Sequence, residues 1–116
     1  MTYKLESQRS EIKFSEVTLK KILTDAEINF KFAVLNDSAL EYTSVIECID
    51  LQLDLQIFNN QQKLICQGEK SAMATIVFLI KEYYGSLSNF ILSSQQKDKS
   101  LHIAGNTSEK DIINAF

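Results

Sequence analysis

Hydrophobic and polar positions alternate most regularly from Ile49 to Ile57, where every odd residue is a large aliphatic and every even one is Asp or Gln. A period of two belongs to a strand with one face in the core and one in water. Asn59-Asn60 tolerates the positive φ of a tight turn, and Lys63 to Gln67 returns, so a hairpin is expected. Upstream, Leu40, Tyr42, Ile46 and Cys48 keep even parity, which extends the strand over residues 38–48. The competing reading there is helical, because Ser38 and Glu41 have capping-box spacing. Parity switches between Cys48 and Ile49; one extra residue does this, so a β-bulge is expected at that point within a single extended run.

A different period governs Leu19, Ile22, Leu23 and Ala26, which fall at i, i+3, i+4 and i+7 and predict a short helix capped by Ser15. One long strand from Glu11 to Leu19 is the alternative. Ile28, Phe30, Phe32 and Val34 predict a strand ended by the turn pair Asn36-Asp37. Met73, Ile76, Val77, Ile80 and Tyr83 have helical spacing, with Gly85 placed to terminate the helix. Phe78 and Leu79 make that helix apolar nearly all round, so it should be the most buried one; a buried strand at ATIVFLI is the rival reading. Asn89–Ser93 and Ser100–Ala104 predict a second hairpin around QQKDK, and Asn106 or Thr107 should cap a last helix carrying Ile112, Ile113 and Phe116. Weak alternation at residues 2–6 and 11–14 adds two short strands. Together these predict a single α+β domain over residues 1–116, mainly antiparallel β-sheet with about three helices packed on one face.

Composition narrows the chemistry. A chain of 116 residues with 45% hydrophobic and 23% charged content is that of an ordinary globular domain. The charged start, MTYKLESQRSEIKF, does not fit a signal peptide, and no apolar run reaches the ~18 residues of a membrane span. A cytoplasmic protein with no membrane partner is therefore expected. Cys48 and Cys66 do not face each other in the expected hairpin and read as reduced core residues. Net charge is −3, but residues 32–62 hold Asp37, Glu41, Glu47, Asp50 and Asp54 and no lysine or arginine, a local −5, while the remainder carries 12 bases and 10 acids, hence +2. Arg9 is the only arginine, which argues against nucleic-acid recognition.

No catalytic, cofactor or metal motif is present. Gly68, Gly85 and Gly105 are too dispersed for a phosphate loop, no Cys-x-x-Cys or His-Glu-x-x-His occurs, and the only histidine, His102, falls opposite the apolar parity of its strand. On one strand face Asp50 and Asp54 would lie roughly 13 Å apart, wider than the ~5–9.5 Å of a glycosidase pair. EYYG, residues 82–85, resembles the Tyr-Tyr-Gly segment of barstar-type nuclease inhibitors, although that family's continuation is missing where Ser86-Leu87-Ser88 stands. The run from Thr43 to Gln67 is similar in pattern to SecB-like chaperones.

The expected function is that of a small non-enzymatic binding protein presenting an acidic sheet face to a basic protein partner, for example a bacterial toxin-immunity or inhibitor protein. Its partner-binding residues would be Glu41, Glu47, Asp50, Gln52, Asp54 and Gln56. One alternative is a chaperone or adaptor, as a homodimer, holding client peptides at a strand edge through Phe30, Phe32 and Phe58. Another is a small-ligand protein or enzyme with Tyr83, Tyr84 or His102 at the mouth of a site between sheet and helix.

Overall fold

The structure is a computed structural model; it describes residues 1–34, 42–58 and 60–116, with only the backbone of Tyr42 and Thr43. In chain order the elements are β1 (Thr2–Ser7), α1 (Glu16–Asp25), β2 (Phe30–Val34), β3 (Tyr42–Cys48), β4 (Leu53–Phe58), β5 (Lys63–Gln67), α2 (Lys70–Tyr84), β6 (Asn89–Ser94), β7 (Lys99–Ala104) and α3 (Glu109–Ala115). The strands form one antiparallel sheet of seven in the order β2-β3-β4-β5-β1-β6-β7. β5 and β6 flank β1, and α2 connects them across it. The expected α+β architecture stands.

Alternation decides which face is covered. Tyr3 and Leu5 on β1, Ile46 and Cys48 on β3, Leu53, Leu55 and Ile57 on β4, and Phe90 and Leu92 on β6 are all buried, and all share the parity that faces the helices. α1 contributes Leu19, Ile22 and Leu23 to that core, and Ser15 accepts a hydrogen bond from the Thr18 N–H as its cap. α2 buries Ala72, Met73, Ala74, Ile76, Val77 and Ile80, the most of the three helices, and ends at Gly85 with φ +57°, a conformation glycine adopts without steric cost. The aliphatic part of Lys81 is buried on the same helix, its ammonium meeting Glu82 and the Gly105 carbonyl.

Three local expectations change. The run through residue 57 is not one bulged strand: Ile49–Leu51 forms a 3-10 turn, Gln52 takes left-handed φ of +51°, and Cys48 pairs with Leu53. The parity switch marks a hairpin reversal. A register irregularity does occur in β3, but between Tyr42 and Ser44. Residues 11–14 are not a strand, although Ile12 and Phe14 are buried and Glu11 and Lys13 exposed; the segment is tied by Phe14 N–H donating to the Gln61 carbonyl and joins no ladder. α3 is capped by Ser108, in a reciprocal box with Asp111, rather than by Asn106 or Thr107. The turn expected at Asn36-Asp37 lies outside the described residues.

The open sheet face as candidate functional site

The helices leave the opposite face of the sheet uncovered among the described residues. Register places three rows of outward side chains across it. The first is Lys31, Glu47, Asp54 and Gln67; the second is Ala33, Val45, Gln56, Ile65, Lys4, Ser93 and Ser100; the third includes Lys63, Glu6, Ile91 and His102. Ile65 is only 7% exposed despite facing outward, so the longer chains around it cover an apolar floor.

Of the six residues expected on an acidic sheet face, the structure places Glu47, Asp54 and Gln56 there. Asp50 and Gln52 are in the β3–β4 turn and off the sheet face. Asp50 accepts a hydrogen bond from the Asn29 backbone N–H at 2.8 Å and so fastens the turn to the entrance of β2. Ile49 is 42% exposed rather than packed inward. Asp54 and Gln56 stay together on the outward face of β4. Glu47 joins them from β3, directly opposite Asp54 in the register. Glu41 lies outside the described residues.

The juxtaposition of Glu47 and Asp54 is the unusual feature. Like charges directly opposite on adjacent strands are destabilising. Lys31 neighbours Glu47 on the far side, yet neither carboxylate has an ion-pair or hydrogen-bond partner among the described residues. The undescribed residues, 35–41 and 59, contain no lysine or arginine. Asp54 and Glu47 line a shallow depression with Lys31, Ala33 and Val45.

Gly68 holds the hairpin in place. A Cβ on it would come within 2.6 Å of Leu53 Cδ1 and 3.2 Å of the Gln52 carbonyl oxygen, so only glycine lets the β5–α2 junction approach the turn this closely.

Other chemistry is dispersed. His102 sits on the open face with Nε2 2.7 Å from Asn89 Oδ1, whereas Tyr83 and Tyr84 are on the helix side, Tyr84 donating to the Lys13 carbonyl at 3.0 Å. These three residues therefore do not converge on one site. The groove between α1 and α2, floored by Ile22, Ala26 and Leu79, has Asp25 and Glu82 at its rim, each already paired with a lysine. Cys48 and Cys66 are free and buried, and desolvation pushes both thiols up to about 12. Among the described residues there is no group of metal-ligating side chains and no helix long and apolar enough to cross a membrane. The antiparallel neighbours throughout the sheet differ from the parallel βαβ order of barstar-type inhibitors.

Sequence reasoning found Asp54, Gln56 and Glu47 from charge and alternation. It missed Lys4 on the same face, because β1 joins β5 across a long stretch of chain and no local pattern announces that pairing. No protein-family model matches this chain, and neither does any curated protein or solved structure.

Proposed function

We propose that this is a non-enzymatic protein-binding module whose open sheet face docks a partner that sets lysine or arginine side chains against Glu47 and Asp54. The observation that carries the reading is the unpaired carboxylate couple, kept opposed on adjacent strands at a cost to the fold. A cation from a partner turns that repulsion into two favourable contacts, which selects partners and speeds encounter more than it adds affinity. A strand face also suits docking because its side chains stand on paired backbone and move little on binding.

The experiment is capture from the native host's extract on immobilised protein, comparing wild type with Glu47→Lys/Asp54→Lys at low and high salt. Asp50 is left intact because it fastens the turn. A partner retained by wild type, lost by the variant and released by salt supports the reading. A retained set identical for the two proteins overturns it.

A second reading rests on the sheet edge. β2 pairs only with β3 among the described residues, Val34 is 59% exposed, and Phe30 and Phe32 are half-buried, which would suit an added client strand. Lys20 lies over the Phe32 ring at 3.6 Å and blunts that edge, so we place this reading second.

A further inference from the structure

We infer that the partner fitting the open face is a second copy of this chain, docked face to face about a two-fold axis; the inference rests on the reading just given. Three observations support it. First, the strands of this face carry Lys4, Lys31 and Lys63 against Glu6, Glu47 and Asp54, so its charges balance and a uniformly basic surface would gain little. Second, the charges are segregated. Glu47 and Asp54, with Lys31, leave an excess of one negative charge over β2 to β4. Lys4 and Lys63 share Glu6, which lies 2.9 Å from Lys4 and opposite Lys63 in the register, leaving an excess of one positive charge over β1 and β5. The two clusters lie about 10 Å apart across the strands, two strand spacings, and Gln56 and Ile65 lie between them.

A closed homodimer presents the same patch twice, so each contact between unlike residues recurs in mirror order. An axis passing near Gln56 and Ile65 sets Glu47 and Asp54 of one copy over Lys4 and Lys63 of the other, and the reverse. Ile65 packs near the axis, with Val45 and Ile91 each two strands away on either side. Third, the size is adequate. Seven strands at ~4.8 Å spacing and five residues at ~3.4 Å give a face of roughly 30 by 17 Å, or ~500 Å² in projection. The accessible surface of a face textured by side chains exceeds its projection, which brings it toward the ~800 Å² per partner of a standard interface.

The test is sedimentation equilibrium of the purified chain from about 1 to 200 µM, a range in which a dimer of ordinary affinity shows its mass. Wild type should be dimeric at the upper end. Glu47→Lys/Asp54→Lys and Lys4→Glu/Lys63→Glu should each be monomeric, with the dissociation constant raised at least ~10-fold by like-charge contact. An equimolar mixture of the two should recover a dimer containing one of each. Thermal unfolding reports whether each variant is folded, and Asp54→Lys with Lys63→Glu as single substitutions repeats the experiment should a double variant fail to fold. Wild type that stays monomeric to the highest concentration overturns the second-copy inference while leaving the extract-capture result to judge the docking face. A dimer that survives both exchanges, or a mixture that stays monomeric, also overturns it.

Discussion

Replacing either member of the Glu47–Asp54 couple by its amide should stabilise the fold, and the size of the gain can be worked out. Residues directly opposite on antiparallel strands have Cβ atoms ~4.5–5.5 Å apart, which sets the carboxylates about 6 Å apart. Two unit charges at that distance repel by about 0.7 kcal/mol in water and ~2.8 kcal/mol at an effective dielectric of 20. Glu47 is exposed and Asp54 half-buried, so the lower part of that range applies. Salt reduces it further, in line with the ~0.2–1 kcal/mol measured for such pairs. Asp54→Asn should therefore gain about 0.5–1 kcal/mol. Glu47→Gln should gain less, because it also gives up the attraction of Lys31 in the neighbouring register position, whereas Asp54 faces Gln67 on its other side. The double variant should gain no more than Asp54→Asn alone, since removing one charge already ends the repulsion. Urea midpoints at low and at high salt measure this, with an unchanged m-value securing the comparison. Additive gains, or a destabilising Asp54→Asn, would refute the claim that the two carboxylates oppose each other.

Gly68→Ala should cost ~1–3 kcal/mol by forcing Leu53 and the Gln52 carbonyl away from the new Cβ; the cost should shrink in a Leu53→Ala background, and independent effects in that cycle would falsify the clash. Asp50→Ala should lose ~0.5–1.5 kcal/mol, read from urea midpoints, as the Asn29 N–H loses its acceptor, while Asp50→Asn should retain most of it. Both thiols should resist alkylation at mildly alkaline pH until the chain unfolds, because desolvation holds Cys48 and Cys66 at about 12 against an unperturbed 9.0. In that interval the unfolded chain has released protons the folded chain keeps. Stability is therefore full below pH 9 and falls as pH rises toward 12, by up to ~2.7 kcal/mol per pH unit for two thiols. Cys48→Ala/Cys66→Ala should flatten that decline in urea titrations. Burial raises Tyr3 and Tyr84 as well, so a smaller slope of the same sign should persist in the variant.

Local physics carried most of the secondary structure. α1 and α2 were legible because helical period, cap and stop coincide at Ser15, Leu19, Ile22 and Gly85. The second hairpin was legible because a polar loop separates two alternating runs. The β3–β4 reversal was not, because Asp50-Leu51-Gln52 continues the apolar–polar rhythm through the turn; a residue count cannot distinguish an inserted bulge from a four-residue loop when both shift parity by one. The turn is built from the αL conformation of Gln52, and glutamine gives no warning of it. The same rhythm made Asp50, Gln52, Asp54 and Gln56 look like one continuous row. The part that persists, Glu47 opposite Asp54, depended on a register across strands. The place of Lys4 on the same face depended on β1, which alternation alone could not place beside β5.

The position of β1 bears on how the chain is made. It precedes the other strands in chain order, yet its two neighbours are β5 and β6, with residue pairs such as Leu5 with Leu64 and with Leu92. The four strands from β2 to β5 can associate as successive hairpins while still emerging from the ribosome, but both edges of β1 must wait, the second until β6 has been translated. Contacts of such sequence separation slow folding. An early-born strand is thus left as the late-closing seam between two otherwise self-contained sheet halves, and that seam is where a stalled or truncated chain would expose unpaired backbone to its neighbours.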